Sequence, residues 1–361
     1  MNATHAAVDL DDVDGLLAAD RDGLLRGASM AGAQARATAA ALAEGELDAL
    51  RADQPPRTLI WLADRGNGQT AGPLLAAAVG GSVGVPIVTA AEVPPWIGAL
   101  DVLVVAGDDP GDPVLVSAAA TALHRGARVV VVAPFEGPLR DVVAGRAVAL
   151  APRVWVPDEF SLVRYLAAGL AILNVVQPGM QVNLDALADE LDAEAFRNSA
   201  GHELFTNPAK TLADRMSGRD VVLTGDNPAT LALARHAAGI MLRVAHRVVA
   251  AVGLADTVAA LRAGFGGAPG ADRLFHDEQI DGPLPDRARV FVLTTDAERQ
   301  VVLARVSGLD DVDVINAEDV PDGPPEQAPA PTPGDGRPER QLAMLAVRLE
   351  MTAAYLKLVR G

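Results

Sequence analysis

A chain of 361 residues is long for one hydrophobic core; half of it is apolar and only 3% aromatic, so two domains packed by Ala, Val and Leu are expected. The balance of 30 basic against 47 acidic residues gives a formal charge of −17, which repels nucleic acid and anionic membranes. With no cysteine, no run of about 18 apolar residues and an acidic segment at residues 1–14, the chain is expected to lack disulfides, thiolate metal sites, membrane spans and a secretory signal, and to be cytoplasmic.

Residues 8–50 read as two amphipathic helical stretches in which Asp11, Asp12 and Asp14 favour a helix amino end. They are expected to pack on the outside of a first domain. Residues 58–63 form a buried strand, and the turn Asp-Arg-Gly-Asn-Gly-Gln-Thr-Ala-Gly at 64–72 carries it into an alanine-rich helix. Within that turn Arg65, Gly66, Asn67, Gly68, Gln69 and Thr70 place a cation, backbone amides and uncharged polar groups at a helix amino end, the chemistry of an anion cradle. The third glycine, Gly72, comes one residue late for a dinucleotide fingerprint, and no acidic residue ends the next strand at 86–89.

Residues 101–133 are the clearest unit. A buried strand at 102–106 leads through residues 107–111 to Asp112 and Pro113, a cap and a first helical residue; the helix runs to His124, Gly126 ends it, and 129–133 is a second buried strand. A crossover of this length makes the strands parallel and puts ligands beyond their carboxyl ends. Yet Asp108, Asp109 and Asp112 repel a dianion there, and Pro110 and Pro113 lack amide donors. The three aspartates could hold Mg²⁺ by oxygen, but cap and turn roles explain them as well, so no metal and no cofactor is expected.

Residues 154–156 are expected to end this sheet, and Asp158 or Ser161 to cap a helix that holds Arg164 and runs to about Val176. Residues 177–218 read as a helical bridge between domains. A new strand at 220–224, the turn Gly225, Asp226, Asn227, Pro228 and a helix from Ala229 to about Val249 repeat the first pattern. Strands at 289–294 and 312–315 flank a helix starting near Ala297. Seven prolines within 321–338 mark a linker, and the final helix, 339–359, places Leu342, Leu345, Leu349 and Leu356 on one face that must dock. The expected division is 1–50, 51–176, 177–218, 219–320, 321–338 and 339–361.

Two α/β domains in tandem, each a parallel sheet flanked by helices, followed by a leucine-rich terminal helix, resemble the sugar isomerase (SIS) domain proteins. More narrowly, the chain looks like the bifunctional phosphoglucose/phosphomannose isomerase family in its divergent actinobacterial form. The resemblance rests on Leu-Phe-His-Asp-Glu-Gln-Ile at 274–280, on residues 161–169 around Arg164, and on the Tyr-Leu stretch within 348–361. It implies aldose–ketose isomerisation of glucose, mannose or fructose 6-phosphate through an enediol, with His276 opening the sugar ring and Arg164 steadying the enediolate. It also implies a homodimer binding a phosphosugar or related sugar derivative.

Where the family has its catalytic glutamate on a long second-domain helix, laying that helix on 239–253 puts Ala250 at the base position, with His246 nearby as a conceivable substitute. The hydroxyl-rich phosphate turn and a terminal lysine helix are missing too. The expectation is therefore a degraded isomerase site or a non-catalytic sensor or scaffold in carbohydrate metabolism. Any ligand is expected over residues 66–70, Arg164 and His276, away from the aspartate turn.

Overall fold

The computed structural model describes residues 8–177, 179–266, 288–318 and 337–359. His276 and most of the proline-rich linker lie outside the described residues. The chain divides into two compact units, one of Arg26–Phe196 with Pro338–Val347, the other of Met1–Leu25, Arg197–Arg337 and Arg348–Gly361.

The first of these units holds α2 (Leu24–Ser29, from Arg26 on), α3 (Ala31–Ala43), β1 (Thr58–Leu62), α4 (Gly66–Val79), β2 (Ile87–Ala90), β3 (Asp101–Ala106), α5 (Pro113–His124), β4 (Arg128–Val132), α6 (Gly137–Val143), β5 (Val148–Ala149), α7 (Leu162–Val176) and α8 (Leu184–Arg197, to Phe196). Its sheet has the order β2-β1-β3-β4-β5, every pair parallel. β1 and β3 are buried at every residue, as expected of continuous apolar runs covered on both faces. Asp112 caps α5 through Val114 N, and Gly126 closes it at φ +79°. Residues 154–156 stay outside the sheet, where a strand was expected. Pro152 and Pro157 remove ladder donors on either side, Trp155 is exposed, and the edge is the two-residue β5 instead.

In the other unit are α1 (Val13–Ala19), α9 (Pro208–Met216), β6 (Asp220–Gly225), α10 (Pro228–Arg243), β7 (Ala250–Gly253), α11 (Leu254–Arg262), β8 (Ala288–Leu293), α12 (Arg299–Val306) and β9 (Val312–Ile315). The sheet order is β7-β6-β8-β9, again wholly parallel. Two expectations change here. The first helix, expected on the outside of the first domain, belongs to this second unit. The helix expected at 229–249 stops at Arg243, the chain reverses through His246 at φ +52°, and Ala250–Gly253 pairs as a strand with Val222–Gly225. Alanine-rich residues read locally as helix, and the ladder with β6 overrides that preference.

The terminal helix α13 (Pro338–Leu358) keeps Leu342, Leu345, Leu349 and Leu356 buried. It is not amphipathic as expected but buried nearly all round, so its polar residues need partners. Arg348 donates to Asn316 O (2.8 Å) and Ala317 O (2.7 Å), Thr352 Oγ1 to Arg348 O (2.7 Å), and Tyr355 Oη to Asn198 O (2.7 Å).

Candidate functional site

In an open parallel sheet the crevice for a ligand lies beyond the carboxyl ends of the strands, where the strand order reverses. In the first sheet that point is between β1 and β3, because the chain runs outward to β2 and returns to the other side of β1. In the second it is between β6 and β8. Each sheet thus directs two turns at one crevice: 63–66 with 107–112, and 226–227 with 294–298.

The first crevice contains the cations picked out from sequence, and both are engaged by the aspartate turn. Arg164, near the start of α7, is bonded through Nη2 to Asp108 Oδ1, and Tyr165 Oη donates to the same oxygen at 2.6 Å. Arg164 also donates to Tyr165 Oη (2.6 Å) and lies 4.5 Å over its ring. Burial pushes the Tyr165 hydroxyl well above its ordinary pKa, so it stays a donor. Arg65 bridges Asp109 (3.1 Å) and Asp112 (2.8 Å).

These two clusters differ in strength. Arg65 and Asp109 are both more than half exposed, a geometry worth roughly 0–1 kcal/mol, and can part readily. The Arg164 and Asp108 side chains are 14% and 22% exposed and share a third partner, so their separation would strand a largely buried charge.

The glycine turn is built for packing. Asn67 is buried, its amide donating to Asp158 O (2.8 Å), Glu159 O (3.0 Å) and Ser161 Oγ (3.2 Å), which pins α4 to the turn before α7. A Cβ at Gly72 would come within 2.4 Å of the Trp61 ring and one at Gly68 within 3.1 Å of Ala106 O, so these glycines let α4 lie close on the sheet; Gly68 O also accepts from Trp61 Nε1 (2.8 Å). Gly66 has φ +65°, and a Cβ there would stand 3.4 Å from Asp108 Oδ2. The glycine turn and the aspartate turn therefore come close to one another at Gly66 and Asp108. Of the expected binding residues, Gln69 is exposed and Thr70 half-buried.

On its other side Arg164 reaches a cavity of about 20 Å³, lined also by Gln34, Thr38, Val132 and Ala168. Arg164 Nε and Gln34 Oε1 are buried there without hydrogen-bond partners among the described residues. A cavity of this size has room for a single water, not a sugar ring.

The second crevice is closed in a related way. Asn227 caps α10 through Thr230 N (2.8 Å) and is bonded to Glu298; Asp226 is bonded to Arg305. Gly225 must be glycine, since a Cβ would lie 2.3 Å from Leu231 N. Neither expected base position lies here. Ala250 opens β7 at the amino edge of the sheet, and His246 is exposed ahead of it, with Nδ1 3.5 Å from Lys357 Nζ. The placement of a base-bearing helix at 239–253 is overturned by the strand at Ala250–Gly253.

Sequence reasoning missed Tyr165 and a buried pair, His236 on α10 and Glu350 on α13, with Nε2 and Oε1 2.9 Å apart. Burial raises the Glu350 pKa, an effect opposed by the hydrogen bond and charge of His236 and by the charge of Arg243. Their separation in the chain leaves no local pattern to read.

No family model and no curated protein matches the chain. Solved structures do. Tagatose-6-phosphate ketose/aldose isomerase from Escherichia coli is similar at a TM-score of 0.57 and 16% identity, covering 93% of this chain and 90% of that one. The C-terminal domain of glucosamine-fructose-6-phosphate aminotransferase from Francisella tularensis follows at 0.60 and 11%, covering 95% and 98%. The fold is the SIS fold. A glucose-6-phosphate isomerase-like protein from Thermus thermophilus shares it at 0.50 and 21% identity, covering 98% and 94%. What these SIS-fold likenesses establish is architecture; the side chains in the crevices are this chain's own.

Proposed function

We propose that the chain is a non-catalytic SIS-fold protein that binds a sugar or sugar derivative, a sensor or scaffold in carbohydrate metabolism with little or no aldose–ketose isomerase activity. The observation that carries this reading is the engagement of Arg164 by Asp108 and Tyr165. Enediolate stabilisation needs a fixed donor aimed at developing charge, an effect worth about 10²–10³ in rate when one such donor is lost. A guanidinium neutralised by an internal carboxylate does not supply it. The three sequence stretches similar to phosphoglucose/phosphomannose isomerases and the shared fold support a sugar derivative as the ligand class.

Calorimetric titration with glucose, mannose, fructose and their 6-phosphates tests the binding half of this reading. Saturable heat is expected with at least one of them. Absence of binding across the whole panel would rule out a sugar ligand of this class.

A further inference from the structure

Asp108 sits in a setting suited to an anion. Its Oδ1 accepts from the Arg164 guanidinium and from Tyr165 Oη at 2.6 Å, while its Oδ2 faces the left-handed turn at Gly66. Tyr165 is fully buried and the Arg164 guanidinium lies 4.5 Å from its ring centroid, so both donors are held in packed surroundings. Arg164 also keeps a further donor, Nε, buried without a partner among the described residues. Two converging donors in fixed positions are what a phosphate oxygen or a carboxylate requires.

We propose that Asp108 is a resident anion that fills the first crevice from within and excludes phosphomonoesters from it, leaving that edge to an uncharged sugar. Asp109 and Asp112, bonded to Arg65, add negative charge at the same turn and strengthen the exclusion. The inference goes beyond sugar binding, since it concerns which charge the crevice accepts. It is tested with inorganic phosphate alone, so its failure is separable from failure of the sugar-binding reading.

The experiment is thermal unfolding of wild type, Asp108→Ala and the double variant Asp108→Ala/Arg164→Ala against inorganic phosphate, at ionic strength held constant with chloride. A ligand that binds only the folded state raises the midpoint by mass action. The wild-type midpoint is expected to be insensitive to phosphate. Asp108→Ala is expected to melt lower and to be restored by millimolar phosphate, and the double variant is not. Where Asp108→Ala cannot be purified, Asp108→Ser, whose side chain is too short to fill the crevice, carries the same titration, and refolding of Asp108→Ala that succeeds only in phosphate supports the proposal. Equal behaviour of the variants in phosphate and chloride, or wild-type stabilisation as large as the variant's, overturns it.

Discussion

Truncation after Arg337 abolishes cooperative unfolding. The deleted segment buries Leu342, Leu345, Leu349 and Leu356, each at most 1% exposed. At about 1.5–3 kcal/mol per buried leucine the loss is roughly 6–12 kcal/mol, before the polar contacts of Arg348 and Tyr355 are considered. Native stability is itself about 5–15 kcal/mol, so the truncated chain falls at or below the margin. Circular dichroism during heating should show no sigmoidal transition. A truncated protein with the melting temperature of the full chain would show that the helix is an appendage.

The buried pair of His236 and Glu350 gives the second large effect. Glu350→Ala leaves His236 unpartnered on both ring nitrogens, since Nδ1 already lacks a partner among the described residues, at a cost of about 1–3 kcal/mol plus the cavity left behind. Glu350→Gln preserves a donor to Nε2 and should be tolerated.

The pH dependence separates the two changes. Burial raises the Glu350 pKa above the ordinary carboxylate value, so the folded state holds a proton that the unfolded chain has released. This contribution is complete below the unfolded pKa and is lost as pH rises through the folded one. The stability of Glu350→Gln relative to wild type, read from urea midpoints, should therefore rise with pH from the ordinary carboxylate range upward. A constant difference would mean that Glu350 is not protonated by burial.

Much of the architecture was legible because the decisive signals are local. The strands at 58–62, 101–106 and 312–315 are short apolar or β-branched runs, and Asp112 with Pro113 and Asn227 with Pro228 mark helix starts by cap and proline. β7 was not legible. Its Ala-Ala-Val-Gly sequence has no strand preference of its own, and only pairing with β6 makes it one. The prolines around residues 154–156 outweighed their apolar character for the same reason, the need for a ladder partner.

At the candidate site, Arg65 and Arg164 were found by charge and position at helix starts. Their meaning was not, because it depends on Asp108, 56 residues from Arg164, and on Asp109, 44 residues from Arg65. The glycines of the turn looked like an anion cradle, and close packing on the sheet, against Ala106 O for Gly68 and the Trp61 ring for Gly72, accounts for them equally well. A carboxylate beside a strand end reads from sequence as repulsion; folded, it is the counter-charge that makes the arginine unavailable.

That unavailability is the central claim, and turnover of glucose, mannose and fructose 6-phosphates by the wild type beside Arg164→Ala and His276→Ala tests it most directly. The account predicts no interconversion above background in any of the three proteins. Robust wild-type turnover would contradict it and show that the chain is an isomerase, and its loss in Arg164→Ala would show that Asp108 gives up Arg164 during the reaction.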